Sequence, residues 1–225
     1  MSKKYELVKT DTVKSWDGRT LYRIKALREI VSLGIAVGAL GGYIEKEDNL
    51  AQVSGDAWVY GDAWVSGNAR VSGNAQVSGD AQVSGDAQVS GNAWVYGDAQ
   101  VSGDAWVSGN AWVSGDARVY GNARVSGNAR VSGNAWVSGN AQVSGDAQVS
   151  GVNLVSTRSD GYTFLVAPTP EGPRIIAGCR YFTFKEAKAH WKATRGGTKL
   201  GDESLLIVKH LEGMAKLNGF MEPVV

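Results

Sequence analysis

The chain has 225 residues, 43% of them hydrophobic, and a formal net charge of +1. That balance excludes a bulk electrostatic grip on nucleic acid, and a single cysteine excludes an internal disulfide. No apolar run approaches the roughly 18 residues that a membrane helix needs, and Met1-Ser2-Lys3-Lys4 opens onto a polar stretch with no signal-peptide core, so the cytoplasm is the expected compartment.

Residues 1–50 read as an entry segment. Tyr5–Val8 and Thr20–Ala26 have strand composition, with the Asp17-Gly18 turn between them, and Leu27–Leu33 has room for a short helix. Ala36 to Glu45 (AVGALGGYIE) leads through Asn49-Leu50 into a different kind of sequence.

From Ala51 to Gly151 one hexapeptide, A-x-V-[SY]-G-[DN], is written seventeen times without an insertion. Ala and Val stand two apart, so in an extended strand they share a face; the residue between them and the Ser or Tyr after Val take the other. The Gly-Asp or Gly-Asn pair then turns the chain. Gly tolerates a positive φ, and Asn and Asp tolerate it better than most residues, so turn geometry accounts for both positions. One such unit cannot bury its Val alone, but coils stacked at roughly 4.8 Å can. A period of six is too short for a propeller blade or sandwich strand and fits a parallel β-helix.

Started at Val, the unit reads V-[SY]-G-[DN]-A-x, an aliphatic residue followed four places later by a small one. This resembles the hexapeptide-repeat superfamily. The resemblance implies a left-handed triangular parallel β-helix with three hexapeptides per coil, although the general rule for parallel crossovers is right-handed. Seventeen repeats then make between five and six coils, a prism about 25–30 Å tall. Leu40-Gly41-Gly42-Tyr43-Ile44-Glu45 resembles the start of hexapeptide-repeat proteins of phages and prophages. On the residues themselves it is an irregular first coil that caps the prism.

Residues 152–225 read as a compact α+β module. Val152–Ser156 and Tyr162–Ala167 flank Asp160-Gly161 as a hairpin, and Arg174–Gly178 is a third strand. Thr183-Phe184-Lys185-Glu186 is a capping box opening a helix to about Thr194, and Asp202 can cap a second helix with Leu205, Val208, Leu211 and Ala215 on one stripe.

The resemblance also implies a possible acyltransferase activity, in which a His between subunits serves as general base. The two histidines here, His190 and His210, both lie in the C-terminal module, and no inserted loop interrupts the repeat. Cys179 with His190 is the best catalytic pair on offer, and a lone Cys is more often a small buried hydrophobe. No cofactor motif is present.

The outer positions carry more information. With residues eighteen apart stacked, Trp58, Tyr60, Trp94, Tyr96, Trp112 and Arg130 share one face. Trp64, Arg118, Tyr120 and Trp136 share the second, and Gln52, Arg70, Trp106 and Arg124 the third. Exposed Trp, Tyr and Arg at this density point to contact with something. A homotrimer would bury them, another protein (of host or phage) would use them, and a sugar or nucleobase would stack on them. The homotrimer is the favoured reading; the alternative is that they form ladders along the prism because such rings suit β surfaces. The corner residues Asp62, Asp80, Asp98 and Asp116 also align, which makes calcium conceivable, although carboxylates alone carry little weight. Ice binding would call for flat threonine-like arrays that these faces lack. The reading is therefore a non-enzymatic interaction or structural protein, with an acyltransferase or a polymer-forming scaffold as alternatives.

Overall fold

A computed structural model describes residues 3–150, 154–169, 171–178 and 180–220. Its centre is a stack of sixteen short strands from Trp58–Val59 to Gln148–Ser150, each joined to the next by a glycine corner. Up to Arg130–Ser132, each strand pairs in parallel with the strand eighteen residues on: Trp94 with Trp112, Gln100 with Arg118, Trp106 with Arg124. The chain therefore makes about six turns and lays down three parallel sheets. The two-residue alternation sets the inside. Every Val from Val59 to Val149 is fully buried and each Ala from Ala57 to Ala147 nearly so, one continuous apolar column. Each Val removed from water contributes roughly 1.5–3 kcal/mol.

The corners correct the expectation about Asn and Asp. Among the described residues only glycines have positive φ, so the following Asn or Asp is not there for left-handed geometry. One column shows its role. Asn74 donates through Nδ2 to Asn92 Oδ1 at 3.2 Å, Asn92 to Asn110 at 3.0 Å, Asn110 to Asn128 at 3.0 Å, and Asn128 to Asp146 at 2.9 Å. A carboxylate can only accept, and it stands at the last position, where it need only accept. Replacing Asn110 by Asp keeps the acceptor for Asn92 but removes the donor to Asn128. Urea unfolding is expected to show a loss of about 1 kcal/mol at pH 7. The loss should shrink below about pH 4, where a protonated carboxyl donates again.

The entry segment closes the lower rim. Strand β1 (Tyr5–Lys14) pairs antiparallel with β2 (Thr20–Ala26), and β2 with β3 (Leu40–Ile44), which joins the stack beneath Trp64–Val65. In place of the short helix expected over Leu27–Leu33 there is a single 3-10 turn at Val31–Leu33. A first coil exposes carbonyls that no lower coil can bond, and here seven of them have a supplied donor. Lys4 Nζ reaches Ala57 O at 2.9 Å, Arg23 Nη1 reaches Gly61 O at 3.2 Å, and Asn49 Nδ2 reaches Gly67 O and Ala69 O at 3.1 and 2.8 Å. Backbone N–H groups of Tyr43, Glu45 and Ala51 take Ala63, Val65 and Val71. The open sheet edge is thus blunted by side chains as well as by strands.

The first hexapeptide, Ala51–Asp56, departs from the repeat. Leu50 bridges to Val71 and fills the inward position, leaving Val53 61% exposed. Gln52 is tied to the entry segment: its Oε1 accepts from the N–H of Lys4 at 2.9 Å, and its Nε2 donates to Tyr5 O at 3.1 Å. The regular stack begins at Ala57.

The C-terminal part is a four-stranded antiparallel sheet, Leu154–Thr157, Thr163–Ala167, Arg174–Ala177 and Arg180–Phe182, with two helices packed on it. The expected first strand, Val152–Ser156, begins on residues outside those described. The fourth strand was not anticipated. Leu165, Ala167 and Ile176 face the coil and join its core, while Phe164, Val166, Ile175 and Ala177 face the helices. This alternation along the Thr163–Ala167 strand is why it reads as apolar throughout. Helix α1 (Phe184–Arg195) carries the expected capping box, with Glu186 accepting from the Thr183 N–H at 2.8 Å. Helix α2 (Lys199–Leu217) starts earlier than expected, because Thr198, not Asp202, caps it by accepting from the Gly201 N–H at 3.1 Å; Asp202 sits in the first turn.

Candidate functional site

Each rung gives one outward side chain before its Val, and the parallel register places those side chains directly over one another. On the first face the indoles of Trp94 and Trp112 stack with centroids 5.7 Å apart and planes 16° from parallel. Tyr96 stands edge-on to both at 6.4 Å, and the Arg130 guanidinium lies 4.9 Å from the Trp112 ring centre. The other faces repeat the pairing with fewer rings. Arg124 lies 5.2 Å over Trp106, and Arg118 lies 5.5 Å from Trp136, which also meets Tyr120 edge-on. Guanidinium over indole is favourable by roughly 0.5–1 kcal/mol where exposed. These rings form ladders along the stack and still leave a large part of each indole in solvent: Trp94 is 41% exposed and Trp136 50%.

Three members of the expected set near the entry segment are covered rather than on the free surface. Trp58 occupies an outward position yet is buried, because the entry segment packs over it with Tyr5 edge-on at 6.3 Å. Tyr60 is half-buried against the same cluster, and burial raises its pKa above the ordinary phenol value. Trp64, the partner of Tyr43 across the first rung, is also half-buried. The uninterrupted aromatic surface therefore begins at Trp94. Position alone could not reveal this, since the covering residue is some fifty places away.

Of the aligned aspartates, Asp62 faces Arg23 at 3.8 Å. No group of three or more His, Cys, Asp or Glu among the described residues is placed to hold a metal ion. His190 lies on α1, its ring 5.0 Å from Phe182 and 4.9 Å from Trp191; burial first and Arg180 second hold its pKa below the usual imidazole value. Cys179 lies outside the described residues, so its proposed pairing with His190 has no geometry. The asparagine ladder was missed in reading the sequence, although its signal, Asn at 74, 92, 110 and 128, is plainly present.

A family model described as the YdcK beta solenoid repeat matches residues 51–67, 63–79, 81–97, 99–115, 117–129 and 123–139. Four of these matches start at 63, 81, 99 and 117, one coil apart. The chain is a β-solenoid repeat protein. A search of curated proteins finds no match to it. No helix among the described residues of this solenoid protein is long and apolar enough to cross a membrane.

Proposed function

We propose that this β-solenoid is a non-enzymatic interaction scaffold whose aromatic face, from Trp94 to Arg130, packs against further copies of the chain. The exposed Trp94–Trp112–Tyr96 cluster is the observation that carries this reading. A contiguous patch of half-exposed indoles with an adjacent guanidinium has the composition of a protein interface. A closed assembly of three copies buries one such face per chain. The coil is proposed to be left-handed and triangular in section, on the strength of the hexapeptide resemblance, and a phage or prophage setting rests on the resemblance of Leu40–Glu45.

Light scattering behind a sizing column tests the proposal. A discrete mass of three chains is expected, and Trp94→Ser with Trp112→Ser should reduce it to one. The double variant should keep its circular dichroism and lose only about 1–2 kcal/mol of stability, the value of the ring contacts it removes. A wild type that is already monomeric sinks the self-assembly reading, and a double variant that unfolds sinks the assignment of these side chains to the surface.

A further inference from the structure

The C-terminal module contains a second feature, independent of the outer faces. Between the turn after Leu154–Thr157, the start of the Arg180–Phe182 strand and the end of α1 lies a cleft of about 500 Å³. That is within the usual range for small-molecule sites. Three arginines reach it from three separate elements: Arg158 from the turn, Arg180 from the strand and Arg195 from the helix end.

Their environments differ in a way that matters. The Arg158 side chain is 2% exposed and fully committed: Nε and Nη2 donate to Asp160 at 2.9 and 2.7 Å, and Nη1 donates to Ser204 Oγ at 2.8 Å. It also lies 4.8 Å over the Tyr162 ring. Arg158 holds the Asp160 carboxyl down at about 2, so the one acid of the cleft is ionised and already neutralised. Arg180 and Arg195 are exposed, and neither makes an ion pair among the described residues. The cleft thus has an excess of two positive charges. His190 on its wall senses this field through Arg180. Beside His190, Trp191 is 3% exposed, and its Nε1–H is buried with no hydrogen-bond partner.

We propose that this cleft binds a small phosphate-bearing molecule. The two uncommitted guanidiniums grip the phosphoryl oxygens, and the organic part lies along the Tyr162 and His190 rings. A phosphate dianion matches the excess charge, and guanidinium forks match its oxygens in pairs. The volume exceeds what phosphate alone fills, which is why an organic ester is the occupant inferred. Sequence reading passed over the site because its arginines lie in no common motif.

The chain has two histidines, so imidazole NMR reads the site directly, with exposed His210 as internal control. The probes are inorganic phosphate and adenosine 5′-monophosphate, with adenosine as the uncharged comparison. Both anions are expected to move the His190 resonances saturably and leave His210 still, while adenosine moves neither. Arg180→Gln with Arg195→Gln should weaken binding at least about tenfold, the scale of losing charge-assisted contacts, at unchanged melting temperature because both side chains are exposed. Tighter binding of the nucleotide than of phosphate supports an ester occupant; equal affinity supports free phosphate in the same site. The proposal is overturned if neither anion moves His190 saturably, or if the double variant binds as the wild type does.

Discussion

Gly109→Ala is expected to lower stability by about 3–5 kcal/mol, whereas Gly145→Ala lowers it by only about 1–2 kcal/mol. Both glycines are left-handed, at φ +69° and +66°, so both pay for giving an L side chain that conformation. They differ in what lies above. A Cβ on Gly109 would stand 2.9 Å from Gly127 N and 3.0 Å from Gly127 O, whereas one on Gly145 meets nothing within 4 Å. The obstructing atoms are the backbone of the next coil, and they cannot move without stretching a rung such as Asn110 N–H to Gly127 O at 2.8 Å. Urea unfolding of the two variants side by side separates conformational strain from the stacking clash. Equal losses would mean the coils spread freely at the corner, contrary to the packing described.

The second large effect is a dependence on pH. Lys4 is wholly buried, with its Nζ bonded to Ala57 O. Burial first, and then Arg28, lower its pKa from 10.5 to about 8, against a smaller opposing pull from Asp56. Below pH 8 the amine is charged in folded and unfolded chains alike, and its burial penalty is felt in full. Between pH 8 and 10.5 the unfolded chain binds a proton that the folded chain does not, so stability rises with pH, by up to about 3 kcal/mol across the window. Lys4→Met removes this term. The stability of wild type relative to Lys4→Met, from urea unfolding at pH 7, 9 and 10.5, should therefore climb steadily. Comparing the two proteins cancels other groups that titrate in the same range, among them Tyr5, whose pKa burial raises. A difference that stays flat would show that Lys4 is solvated.

How much of this could be read beforehand follows the range of the interactions involved. The inside was legible because Val and Ala alternate with period two, and the columns were legible because the repeat has no insertions. What escaped was set by distant partners. Gln52 fits the repeat yet is held by the backbone of Lys4 and Tyr5, and Trp58 fits an outer position yet lies under Tyr5. Thr198 outcompeted Asp202 as the α2 cap because its hydroxyl lies within reach of the Gly201 N–H. Of the candidate sites, the aromatic face was visible as a period in the sequence. The arginine cleft was not, since its parts meet only after the turn, the strand and α1 have packed together.

The asparagine column gives the solenoid a unit of growth. Adding eighteen residues places Asn over Asn again and lengthens the ladder by one rung. Adding six after Asn92 shifts every later residue by one corner, so that Asp104 falls where Asn110 stood and the donor chain stops there. Although the text of this chain repeats every six residues, its length is free to change only by whole coils.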